Sequence, residues 1–264
     1  MSVQKIVFTL SALYGFGACF LAVMPSASAF TFSQNGDSVT IGAADINKSF
    51  EINFDGNVST QNVQGLSSKA TFTFLGFTTI GSGSNAKTEA KFDITLSNTS
   101  SNGITSRTSA LGFDVSSVLR GVGSTGGSGN TRVSGLFSND RSGAFPNQFG
   151  DVDVCFTNGN TCQGGTNGGV STGAAPSVFT PILAFSGNIT SFTLSNLGVR
   201  YQSINGTSTI NNKTFNGDSG TGRGYYTPPP PPPKKVPEPA TSAALGLFAV
   251  GAWQLKKKKP MLSI

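Results

Sequence analysis

Between residues 30 and 227 the chain repeats one pattern, in which apolar and polar side chains alternate and the runs are punctuated by Asn-Gly or Asp-Gly. Ser49-Phe50-Glu51-Ile52-Asn53-Phe54 alternates over six residues, and Lys69-Ala70-Thr71-Phe72-Thr73-Phe74 does so again. Ala90-Lys91-Phe92-Asp93-Ile94-Thr95-Leu96 is a third run, and shorter ones occupy residues 38–41, 151–156, 191–194 and 199–204. A period of two is that of a pleated strand, so Phe, Ile, Val and Leu fall on one face and Thr, Asp and Lys on the other. Each sheet then has one face to bury. Two sheets closed on their apolar faces make an antiparallel β-sandwich, jelly-roll-like, and this all-β architecture is the predicted fold. Turns at Asn35-Gly36, Asp55-Gly56, Asn102-Gly103, Asn158-Gly159 and Asn205-Gly206 separate the runs and favour antiparallel connections. Helical periodicity of useful length is confined to the two ends, with room for one short turn near residues 114–119.

The body of about 200 residues is long enough for a sizeable core. It is rich in Gly, Ser, Thr and Asn and carries many Phe, a composition of ordered β-structure with long loops rather than of a disordered chain. The formal charge of +6 belongs to the ends. Residues 30–227 hold eleven basic and eleven acidic side chains, so the body is neutral and lacks the basic face that nucleic-acid binding requires.

The ends read as addresses. Residues 1–29 have a charged start, a nearly continuous apolar run over residues 6–23 and the small-x-small pattern Ala27-Ser28-Ala29, which predicts a signal peptide cut before Phe30 by signal peptidase. At the other end six prolines, residues 228–233, begin a stalk over residues 228–235, a polyproline II rod of about 19 Å. Val236-Pro237-Glu238-Pro239 follows, then an apolar run over residues 240–255 and the basic stop Lys256-Lys257-Lys258-Lys259. Sixteen helical residues span about 24 Å, somewhat short of the hydrocarbon layer, and snorkelling lysines with Trp253 at the interface close the gap. The positive-inside rule keeps the lysines cytoplasmic and the body outside.

This tail, residues 236–260, resembles the PEP-CTERM sorting signal of exported proteins of Gram-negative bacteria and cyanobacteria. Pro237, Glu238 and Pro239 match the motif residue by residue. The resemblance implies recognition by an exosortase-like membrane protease at that motif. It also implies delivery to the cell surface or an exopolysaccharide matrix. A wider likeness, over residues 153–169 and 199–204, is to the cistern-type PEP-CTERM proteins of cyanobacteria, and it implies no established activity.

With Cys19 inside the signal peptide, Cys155 and Cys162 are the cysteines of the mature body, and in an oxidising compartment they are expected to form a disulfide across a tight Thr157-Asn158-Gly159-Asn160 turn. A two-cysteine metal site would need further ligands. The chain has no histidine, which excludes Ser-His-Asp and Cys-His nucleophiles and His-ligated zinc or haem. No cofactor is implied. A carboxylate pair remains conceivable, but Glu51 and Glu89, the glutamates of the body, fall on alternating strands and read as solvated. Asp151 and Asp153 share a strand face and offer a partial Ca²⁺ site. The glycines at 121–129, 164–165 and 168–169 read as flexible surface loops, since no phosphate-loop Lys-Ser/Thr pair follows them. Asn-x-Ser/Thr at Asn47, Asn57, Asn98, Asn188, Asn205 and Asn212 marks exposed polar turns.

The expected function is that of a non-enzymatic surface or matrix protein. A carbohydrate-binding module is the first alternative and calls for exposed aromatics, for which Tyr201, Tyr225 and Tyr226 are the body's large polar candidates. A carboxylate-dependent glycan hydrolase is the second.

Overall fold

The computed structural model describes residues 30–208 and 212–228. All its strands belong to the first of two units, Met1–Thr227; of the second, Pro228–Ile264, only Pro228 is among the described residues. The strands are β1 Thr31–Phe32, β2 Ser38–Gly42, β3 Ser49–Phe54, β4 Asn57–Val58, β5 Gln61–Asn62, β6 Ser68–Ile80, β7 Lys87–Asn98, β8 Thr105–Val115, β9 Arg132–Gly135, β10 Asn139–Phe145, β11 Gly150–Thr157, β12 Val170–Ser171, β13 Ser177–Ser186, β14 Ser191–Thr207 and β15 Thr214–Tyr225. Every pairing is antiparallel.

The main path runs β10-β11-β8-β14-β15-β3-β6-β7-β13-β9. Its two end strands are consecutive in the chain and approach one another, so the sheet curls almost into a barrel. Near-closure suits a chain rich in β-formers, because it leaves few edges to pair with other molecules. β15 turns the corner: most of its length pairs with β14, while Gly224 and Tyr225 pair with Phe54 and Asn53 of β3.

Inward residues form a phenylalanine core. One chain of ring contacts runs Phe30–Phe50–Phe72–Phe113–Phe156–Phe179–Phe137, with centroid separations between 4.7 and 6.4 Å. Aromatic pairs at these distances add to the hydrophobic burial of each ring. A second group joins Phe74, Phe92, Phe192 and Phe185.

A smaller cluster lies apart from this core: Ala110, Phe145, Phe149, Val152, Cys155 and Cys162. Gly112 and Gly198 make room for it, since a Cβ at Gly112 would meet the Phe145 ring at 2.8 Å and one at Gly198 would collide with the Phe149 ring. Part of the sheet is therefore covered on both faces. Val199, Arg200 and Tyr201 are all buried, and the register of β14 against β8 shifts between Arg200 and Tyr201.

Every alternating run of the sequence lies within a strand. Two local expectations are corrected. Asn205-Gly206 lies inside β14, where Gly206 packs against the backbone of Gly103, too close for any Cβ. Residues 114–119 form no helical turn; β8 ends at Val115 and Leu119 bridges to Phe185. The helical elements among the described residues are two 3₁₀ turns, Ala43–Asp45 and Gly83–Asn85. No helix among the described residues is long and apolar enough to cross a membrane. The expected membrane helix over residues 240–255 lies outside the described residues.

Candidate functional site

The loop after β11 is held by a cysteine pair and two arginines. The Cys155 and Cys162 sulfurs lie 2.08 Å apart, at disulfide distance, with Cα atoms 5.7 Å apart and both side chains buried. The cysteines draw the loop back over the outer face of β8 and β14, where two arginines receive it. Arg200 Nε donates to the Gln163 carbonyl at 3.1 Å and its Nη1 to the Gly220 carbonyl at 2.8 Å. Arg107 Nη2 donates to the Gly165 carbonyl at 2.8 Å and to Gln202 Oε1 at 2.6 Å, and its Nη1 donates to the Gly168 carbonyl. Backbone carbonyls take the place of a counter-ion. Burial pushes the Arg200 guanidinium down to about 10, still charged at neutral pH, and lowers that of Arg107.

This geometry corrects the flexible-loop reading of the 164–165 and 168–169 glycines. They are there for close approach: Gly164 has φ +85 and a Cβ on it would lie 2.5 Å from Ser109 Oγ, while Gly169 abuts the Thr108 carbonyl. The 121–129 loop is anchored too. Glu89 Oε1 accepts from the Gly129 amide at 2.6 Å and from Arg132 Nη1 at 2.7 Å, and Oε2 accepts from Arg132 Nη2 at 2.9 Å. Asp140 Oδ2 accepts from the Gly123 amide at 2.6 Å. Burial raises the Asp140 carboxyl, an effect partly offset by that amide.

Glu89 is therefore not the solvated residue that its strand position suggested; it is 8 % exposed. The Arg132 guanidinium first, against burial and with help from the Gly129 amide, holds its carboxyl below the ordinary 4.5. A lowered folded value means that the pair stabilises fully above the unfolded value and is lost as pH falls through the folded one. Glu89→Gln should cost about 2 kcal/mol at pH 7, as a charged hydrogen-bond partner is removed, and should flatten part of the acid-induced fall in stability below about pH 4.5. Urea unfolding at a series of pH values reads both effects. Glu51 is exposed and pairs with Lys69 at 3.0 Å, as a polar strand face would have it.

Of the aspartates at 151 and 153, Asp153 is engaged by the backbone of the neighbouring strand. Asp153 Oδ2 accepts from the Val115 amide at 2.9 Å and its own amide donates to Asp114 Oδ1 at 3.0 Å, which ties β11 to the end of β8. No group of three potential metal-binding side chains occurs among the described residues. These aspartates line an open groove of about 850 Å³.

A smaller cleft of about 270 Å³ has different chemistry. It lies between the β4–β5 and β10–β11 hairpin tips and is lined by Asp55, Asn57, Asn62, Asn147, Gln148 and Arg223 among others. Both tips are strained: Ser59 and Thr60 have φ +50 and +68, and Asn147 and Gln148 have +59 and +60. At Ser59-Thr60 this is what a two-residue hairpin loop between Val58 and Gln61 requires. Asn57 Oδ1 and Asn147 Nδ2 are buried without a hydrogen-bond partner. Arg223 lies 4.3 Å from the centre of the Phe149 ring and donates to the Phe149 carbonyl at 3.0 Å. This combination of amides, a carboxylate and a fixed guanidinium is the hydrogen-bonding set that a polyol takes. The sequence pattern showed Asp55-Gly56 only as a turn.

The aromatics needed for sugar stacking are placed otherwise. Tyr201 is fully buried and donates to the Asp55 carbonyl at 2.9 Å; Tyr226 stacks on Phe32 at 3.5 Å; Tyr225 is 46 % exposed. Asn98, expected in an exposed turn, is buried and donates to Ser106 Oγ and to the Val170 carbonyl. Of the processing residues, Phe30 is described and buried. Ala27, Ala29, Val236, Pro237, Glu238, Pro239 and Lys256 to Lys259 lie outside the described residues.

Comparison with protein-family models, curated proteins and solved structures finds no match.

Proposed function

We propose that this is an exported, non-enzymatic protein of the cell surface or extracellular matrix, its body a flattened, jelly-roll-like sandwich. Signal peptidase cuts before Phe30; an exosortase-like protease acts at Val236-Pro237-Glu238-Pro239. Residues 240–255 hold the tail in the membrane until then, and residues 228–235 keep the body off the surface. The observation that carries the reading is what the buried charges do. Glu89, Arg132, Asp140, Arg107 and Arg200 hold loop backbone in place, and none is left free for acid–base work. A body whose cysteines are the single pair Cys155 and Cys162 suits an oxidising destination, where such a pair is expected to bridge. Glu238→Ala should abolish release or surface sorting and leave full-length tail in the inner membrane, read by fractionation and immunoblotting. Unchanged sorting would contradict the reading.

The cleft between the hairpin tips favours a second reading, a carbohydrate-binding surface module with exopolysaccharide as partner. Two buried amide atoms without partners are what a sugar hydroxyl would satisfy. Asn147→Ala should then weaken retention on the host's exopolysaccharide about tenfold, the loss of one such contact. Equal retention by both proteins would remove this reading.

A further inference from the structure

Phe30, the first of the described residues, is held in place by both its ring and its backbone nitrogen. Its ring is buried, 5 % exposed, and packs edge-on against Phe50 at 4.7 Å. Its amide nitrogen lies 3.0 Å from Asp45 Oδ1. Asp45 is itself 6 % exposed, and its Oδ2 accepts from the Gly42 amide at 2.8 Å. The nearest cation, Lys48 Nζ, is 3.9 Å from Oδ1 and makes no hydrogen bond of its own. A nearly buried carboxylate thus receives one nitrogen from Phe30 and is poorly neutralised by the charge beside it.

We propose that cutting the Ala29–Phe30 bond installs a buried ion pair between the Phe30 α-ammonium and the Asp45 carboxylate, so that signal-peptide removal completes the domain. The inference rests on cleavage before Phe30. In the step, signal peptidase adds water across the amide. Ala29 leaves as a carboxylate on the signal peptide, and the freed Phe30 amine takes up a proton. One thing changes at Asp45: a neutral N–H donor becomes a charged donor with three hydrogens, and a charge-assisted bond is the stronger kind. The precursor therefore carries a neutral contact where the exported protein carries an ionic one. Gly42 and Lys48 flank the 3₁₀ turn Ala43–Asp45, and Asp45, its last residue, is buried.

The test uses the processed full chain from its host. Its α-amine is treated with a limiting acylating reagent at pH 7, and the N-terminal peptide is read by mass spectrometry. The wild-type amine should react at least tenfold more slowly than that of the free peptide Phe-Thr-Phe-Ser-Gln, and Asp45→Asn should restore most of the rate. A wild-type rate equal to the peptide's overturns the ion pair without any variant. Protection that survives Asp45→Asn in a folded protein assigns it to burial alone and also overturns the proposal. The same spectra report where the chain starts. An N-terminus elsewhere than Phe30 defeats the cleavage reading itself, and one at Phe30 with a freely reactive amine defeats only the lock.

Discussion

Replacing Arg200 with Met is expected to destabilise the domain by about 3 kcal/mol, although the substitution removes a buried charge. Exchanging a buried ion for an apolar side chain of similar size is often neutral or favourable when its partner is removed as well. Here the partners are backbone carbonyls, those of Gln163 and Gly220, and they stay. Each buried acceptor left without a donor costs on the order of 1–3 kcal/mol. The lost bonds also release the end of the disulfide loop, so amide exchange at residues 163–169 should quicken even where the core remains protected. Arg200→Lys is the informative companion, since one ammonium cannot reproduce a planar fork directed at two separate carbonyls. Chemical denaturation gives the energy, and hydrogen exchange shows where it is lost. Full stability in Arg200→Met would show that the brace is incidental.

Phe113→Ala should cost more, about 4 kcal/mol, as for other large-to-small changes at fully buried aromatic positions. Phe113 is 1 % exposed and touches Phe72 of β6 at 6.4 Å and Phe156 of β11 at 5.9 Å between ring centroids, so it joins the two halves of the curled sheet. Phe145→Ala is the contrast. It empties part of the smaller outer cluster of six buried residues, and about 2 kcal/mol is expected. Equal costs would mean that the outer cluster is as integral as the inner core.

Alternation exposed the strands that have one wet face. It found β3, β6 and β7, where Phe50, Ile52, Phe54, Phe72 and Phe74 point inward from polar backs. β8 escaped because it lies between β11 and β14, with its outer side covered as well; Ser109, Ala110 and Leu111 are buried in succession, so no period of two can appear. β13 escaped because Pro181 interrupts it. The proline is accommodated where the pairing with β7 skips from Phe179 to Ile182. β15 escaped through its glycines, although these permit its packing: a Cβ on Gly222 would press the Tyr201 ring at 3.0 Å and one on Gly224 would meet Ile52 and Phe54 at 2.7 Å.

The braces were less legible still. Arg107 and Arg200 each sit on a strand, and apart from the Gln202 side chain, ninety-five positions from Arg107, their acceptors are backbone carbonyls of glycine and glutamine, which carry no side-chain signature. Glu89 and Arg132 are separated by forty-three positions. A run of glycines reads as flexible until the charges that hold it are located in space. The cysteine pair was legible because only one partner was available to each residue of the body.

Export followed by sorting is tested most directly by the intact mass of the protein recovered from its native host, with envelope and medium measured separately. The prediction is a chain that starts at Phe30 and, in the sorted fraction, ends near Pro237-Glu238-Pro239, two mass units lighter than the reduced form. A protein that keeps residues 1–29, or whose sorted form still carries the sequence through Ile264, would contradict it.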